Sequence, residues 1–152
     1  MERKDNTTMR LCTVRKLLDL WGFNIKGPEH YEFHPPMKYL DEEGKRAYLK
    51  GFFSGDGEVT LTETGHHSIS ISSSCEEGLR ELRGMLIELG FHPGNIGTYD
   101  EEAVPGRHRY PSFRFYIPEE DHLKFIEEIG SETEEHINKF KQIKLIDEER
   151  RK

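Results

Sequence analysis

DEEGKRAYLKGFFSGDGEVTL, running from Asp41 to Leu61, reads as a helix that stops abruptly and continues as a strand. Asp41 suits an N-cap, with Glu42 and Glu43 placed against the positive end of the helix dipole. Ala47, Tyr48, Leu49, Phe52 and Phe53 give a largely apolar turn and a half. Ser54-Gly55-Asp56-Gly57 ends the helix, because two glycines open backbone angles that other residues reach only at a cost. Past Gly57 the period changes to two, Val59 and Leu61 alternating with Glu58, Thr60 and Thr62. Asp56 is thereby fixed at a helix C-terminus, between glycines, at the mouth of a strand. The negative end of the dipole disfavours an anion there, so a cation or a proton is expected to help. The plain alternative is a turn aspartate, since Gly-Asp-Gly is a common turn composition.

The remaining segments arrange themselves around that junction. Val14, Leu17, Leu18 and Trp21 recur at helical spacing and Gly22 closes the helix, while Asn24 to Tyr39 carries Pro28, Pro35 and Pro36 and is expected to be an extended connector. Glu58 to Thr64 and His67 to Ser73 form a hairpin turning at Gly65-His66, with Val59, Leu61, Ile69 and Ile71 on one buried face. Its other face shows Glu58, Thr60, Thr62, Thr64, Ser68, Ser70 and Ser72, which are polar and small. Ser74-Cys-Glu-Glu77 is a capping box opening a helix with Leu79, Leu82, Leu86 and Leu89, stopped by Gly90. Asn95 to Tyr99 and Ser112 to Ile117 form a second hairpin, with Phe113, Phe115 and Ile117 inward and Ser112, Arg114 and Tyr116 outward. Pro118 begins a helix that Gly130 ends, and Ser131-Glu-Thr-Glu134 caps a last one bearing Ile137, Phe140, Ile143 and Ile146. The order is one helix, then αββαββα, then a C-terminal helix. We expect one compact α+β domain, with 1–40 as lead-in and 41–152 as core.

At 152 residues the chain suffices for one core, and no apolar run approaches the roughly 20 residues of a membrane span. Two cysteines, Cys12 and Cys75, suggest neither a metal cluster nor a disulfide scaffold, so a reduced, intracellular, cytoplasmic setting is expected. The chain opens on Met1 and closes in charged residues, from which we expect a free-standing protein. Net charge is −7, and between Asp56 and Ile117 ten acids face five bases, an unfavourable footing for phosphate contacts.

Leu49-Lys-Gly-Phe-Phe-Ser-Gly-Asp-Gly57 resembles the signature nonapeptide of the LAGLIDADG homing endonucleases, with its terminal Asp-Gly intact. Leu17 to Lys26, followed by prolines, is similar to that family's lead-in, and the αββαββα order matches its unit. The resemblance implies that the motif helix pairs with a second copy across a two-fold axis, through Gly51, Phe52, Ser54 and Gly55. One motif is present, so the implied state is a homodimer. The last acid of each copy, Asp56, and the carbonyl of Gly55 would then hold divalent metal, Mg2+, at a shared site; two apposed carboxylates repel unless hard cations lie between them.

The resemblance also places the hairpin face in the major groove of double-stranded DNA. Thr60, Thr62, Ser68 and Ser70 would meet base edges there, and Arg107, Arg109 and Arg114 phosphate or guanine. Family enzymes keep a lysine near the start of the last helix; the matching position holds His136, with Lys139 one turn on. Three functions follow. The first is a homodimeric, Mg2+-dependent, site-specific DNA endonuclease. The second is a DNA-binding regulator or RNA maturase descended from one, favoured by the unmatched lysine and the acidic sheet region. The third is a dimeric interaction module, favoured by net charge.

Overall fold

The computed structural model describes residues 25–26, 30–31, 33–99 and 112–152; the helix expected around Val14 and the loop carrying Arg107, His108 and Arg109 lie outside the described residues. Two short strands, β1 (Ile25–Lys26) and β2 (His30–Tyr31), pair antiparallel, and a 3-10 turn covers Met37–Tyr39, so the proline-containing connector is partly hydrogen-bonded rather than simply extended. Asp41 Oδ1 then accepts the Gly44 N–H at 2.8 Å and starts α1 (Glu42–Asp56), as a capping carboxylate does. Next come β3 (Gly57–Leu61), β4 (His67–Ser73), α2 (Glu76–Glu88), β5 (Gly97–Tyr99), β6 (Ser112–Ile117), α3 (His122–Glu128) and α4 (Glu134–Arg150). This is the α+β, αββαββα order with a further C-terminal helix that the sequence predicts. Among the described residues no helix is long and apolar enough to cross a membrane.

The four longer-range strands form one antiparallel sheet in the order β3-β4-β6-β5. Register fixes which residues share a face: Val59 pairs with Ile69 and Ile69 with Ile117, while Ile71 pairs with Phe115. All five are buried, and they meet Leu49 and Phe53 of α1, Leu79, Leu82 and Leu86 of α2, and Phe140 and Ile143 of α4 in a single cluster. Phe53 is the hub. Its ring lies 5.0 Å from Phe125 edge-on, 4.9 Å from the His136 ring and 6.0 Å from Phe140 in a stack. Fully burying such a side chain stabilises the fold by about 1.5–3 kcal/mol.

Several local expectations change. The first strand stops at Leu61, three residues short of Thr64, because Thr62 starts the turn: its N–H donates to His66 O at 2.8 Å and its Oγ1 accepts from His66 N at 3.0 Å. Cys75, not Ser74, caps α2, its Sγ accepting the Gly78 N–H at 3.4 Å. The last helix begins two residues later than the Ser131 box implies, with Thr133 at the N-cap, because the Ser131 hydroxyl is drawn inward to His136. Ile137 accordingly sits outside the core and His136 inside it.

Candidate active site and sheet face

The site is assembled where α1 turns into β3. Gly57 caps α1 through an N–H donated to Phe53 O, but with φ −81° and ψ 153° it is in ordinary extended backbone. The expectation that this glycine supplies an unusual backbone angle is therefore corrected: it supplies space. A Cβ there would lie 2.5 Å from Phe53 Cγ and closer still to the ring edge. The chain can pass from helix to strand without a loop only because nothing projects from residue 57 into the hub ring. Asp56, the last residue of α1, is consequently held at the surface by a rigid junction. Its side chain is exposed, yet enough protein surrounds the carboxyl for partial desolvation to raise its pKa above the ordinary aspartate value.

Two residues of α4 flank this junction. His136 is buried, its ring packed on Phe53 and its Nδ1 2.8 Å from Ser131 Oγ. Burial lowers its pKa; the Glu135 carboxylate and the Gly57 backbone oppose that shift, and the Lys139 charge adds to it. The imidazole is thus neutral at pH 7 and turned toward the Asp56–Gly57 peptide region, not toward solvent. Lys139 Nζ donates to Val59 O at 2.9 Å and to Glu135 Oε1 at 2.7 Å, so this lysine is tied to β3 and is not a free helix-surface cation.

The residues expected at a helix pairing face divide. Gly51 and Gly55 are exposed, and a Cβ at either would meet nothing within 4 Å. Phe52 is partly buried, its ring 4.9 Å from that of Phe33. Ser54 faces inward: its Oγ donates to Lys50 O at 2.7 Å, accepts the Glu132 N–H at 2.8 Å and lies 3.3 Å from Ser131 Oγ. Ser54 therefore ties α1 to the start of α4 within one subunit, and Gly51 and Gly55 are the small residues left open.

On the outward sheet face, Thr60 is exposed opposite the half-buried Ser68, and Thr62 is exposed in the turn. Ser70 departs from expectation. It lies between Glu58 and Tyr116 on the neighbouring strands, and these longer side chains leave it only 3% exposed. Arg114 is also largely covered, its Nη2 3.1 Å from Glu58 Oε2. That ion pair was missed at the level of sequence, since it forms across an intervening strand whose position depends on the full sheet order. Tyr116, half exposed beside it, carried only the alternation signal.

Among the described residues no group of three or more His, Cys, Asp or Glu side chains is placed to hold a metal ion within one chain. The donors at the tip of α1 are one carboxylate, Asp56, and helix-end carbonyls such as that of Gly55, which the last turn leaves without an intrahelical partner. Oxygen donors of this kind suit a hard cation, and a second chain would double their number.

No curated protein and no solved structure matches the chain. The sequence does match the LAGLIDADG-like domain over residues 43–130, which takes in α1 with Asp56, all four strands of the main sheet, α2 and α3. With more than half its length inside that match and the αββαββα unit in place, the chain belongs to the LAGLIDADG-like domain family, the superfamily of homing endonucleases and maturases.

Proposed function

We propose that the protein is a homodimeric, Mg2+-dependent endonuclease acting on double-stranded DNA at a specific site. The observation that carries this reading is the tip of α1: an exposed carboxylate with a raised pKa, on a rigid junction, below an open face made by Gly51 and Gly55. Two such helices can approach backbone to backbone, bringing the two Asp56 side chains together. Asp56 and the Gly55 carbonyl of each chain would hold the metal, which supplies a Lewis acid for phosphodiester hydrolysis and a water of lowered pKa. Asp56 must be ionised to take part, and a nearby cation reverses the effect of its desolvation. Val59 O and Glu135 fix the Lys139 ammonium beside β3, where it adds positive potential near the scissile phosphate. His136, neutral and packed on Phe53, supports the junction from within.

A second reading, a DNA-binding protein of this family that does not cut, has one specific support. Both residues near the usual lysine position are engaged in the subunit, His136 by burial and Lys139 by Val59 and Glu135. One experiment separates the two. Duplexes selected by the protein from a randomised library are incubated with Mg2+ and either wild type or Asp56→Asn. We expect wild type to cut and the variant to bind without cutting. The rate should fall by about 10³-fold or more, because metal-assisted charge stabilisation is worth several kcal/mol. Wild type that binds but never cuts, at any divalent metal, establishes the second reading.

A further inference from the structure

The strands of the main sheet carry a single acid, Glu58, and a single arginine, Arg114, and the structure pairs them on the outward face. Their exposures are unequal: the Glu58 side chain is 54% exposed and that of Arg114 only 17%. The arginine, on β6, is in register with Ser72 of β4 and largely covered, while the more exposed carboxylate, on β3, is in register with Ser70. A guanidinium so covered is poorly placed to reach out to a base. The carboxylate is better placed, since its side chain is the more exposed of the two and its Oε2 is held by the guanidinium.

We propose that Glu58 is a base-reading residue of the sheet face, with Arg114 as its positioning residue. This rests on the sheet being the DNA-facing surface. An unpaired carboxylate near a duplex is repelled by phosphate; Arg114 offsets that charge and fixes the side-chain rotamer. A held carboxylate only accepts hydrogen bonds, so it seeks an exposed amino group in the major groove. Cytosine offers N4–H2 with no acceptor beside it, whereas adenine sets the N7 acceptor next to its N6–H2, which a carboxylate would oppose. The preferred partner is therefore cytosine, at one position in each half-site of a two-fold target. Thr60, exposed two residues along β3, and Tyr116 border the same position and add tolerance rather than choice, since a hydroxyl can donate or accept.

The test is a binding-site selection from a randomised duplex library, in EDTA so that bound DNA stays intact, with wild type, Glu58→Gln, Arg114→Lys and Arg114→Met. Wild type should enrich cytosine over other bases by about ten-fold or more at one position per half-site. Glu58→Gln should move that preference to adenine, which an amide can contact at N6 and N7 together, and leave every other position unchanged. Arg114→Met should flatten the preference at the same position, with partial rescue in Arg114→Lys. Retention of the wild-type base at every position by Glu58→Gln, folded by circular dichroism, overturns the assignment. That variant is isosteric at an exposed site, so it decides the matter even if Arg114→Met does not fold. If wild type enriches no site at all, it is the DNA-facing reading of the sheet that fails.

Discussion

Gly51→Ala isolates the pairing of two α1 helices from the folding of one subunit. A Cβ built at Gly51 meets nothing within 4 Å, and the residue lies in mid-helix on an exposed face. Within a single subunit the substitution therefore adds no clash and removes backbone freedom from the unfolded chain, a gain of about 0.5–1 kcal/mol. For a domain of this size that raises Tm by roughly 2–4 °C per kcal/mol. If a partner helix closes on the same face, the two added methyl groups overpack it at a cost of about 1–3 kcal/mol. The dimer Kd should then weaken by about 5- to 150-fold. Sedimentation equilibrium over a wide concentration range gives Kd, and melts far below Kd report subunit stability without the contribution of dimer formation. Gly57→Ala is the internal control. There the methyl group enters the Phe53 ring, which Phe125, His136 and Phe140 hold in place, so subunit stability should fall by about 1–3 kcal/mol or more. Wild type that is monomeric throughout, or a Gly51→Ala dimer as tight as wild type, refutes pairing through this face.

Stability should also depend on pH through two histidines. Burial lowers the pKa of both His122 and His136, so the unfolded chain takes up protons first; their contribution is complete above about pH 6.5 and declines as pH falls toward the folded values. Urea midpoints that stay flat between pH 7.5 and 5 contradict this. Ser54→Ala should cost about 1–2 kcal/mol, because it strips the Glu132 N–H and the Ser131 hydroxyl of a partner that joins α1 to α4. A drop in Tm of roughly 2–8 °C measures it, and an unchanged Tm shows that water replaces the serine without loss.

Much of the fold was legible because its signals are local. The Asp41 cap, the change of period at Gly57 and the alternation of Phe115, Tyr116 and Ile117 in β6 each depend on a few consecutive residues, and each is found in the structure. What failed locally was decided by distant partners. Ser131 sits in a sequence that spells a capping box, yet Ser54 and His136, at opposite ends of its hydrogen-bond network, draw it into the interior. Gly57 looked like a residue chosen for its backbone freedom, but the reason for it is a ring four positions earlier in α1. The His67–His122 contact, Nδ1 to Nδ1 at 2.7 Å, joins residues 55 apart and left no trace in any short window. For the candidate site, the motif points to Asp56 and the helix that carries it. The Glu58–Arg114 pair required knowing that β6 lies beyond β4, which no spacing within one strand encodes.

Net charge of −7 is the strongest objection to the proposed DNA-binding role, and the distribution of that charge bears on it more than the sum. Among the described residues, acids concentrate on the helices, where many already have partners: Glu42 with Arg46, Glu88 with Lys45, Glu76 with Arg80, and Asp147 with Arg151. Those helices pack on the inner face of the sheet. Among the described residues, the strands of the outer face carry one carboxylate and one guanidinium in contact, among threonine, serine and tyrosine. A duplex lying on the described part of that face would meet a nearly neutral surface, with the helix charges on the far side weakened by screening over about 8–10 Å at physiological salt. Such a surface contributes little through counterion release and must draw its affinity from base-edge contacts. In the proposed nuclease, the same paucity of fixed positive charge would increase the importance of a divalent cation at Asp56, since the described sheet face offers little to balance a phosphate. If the chain cuts DNA as proposed, charge that lysines and arginines could have supplied would arrive with the ion.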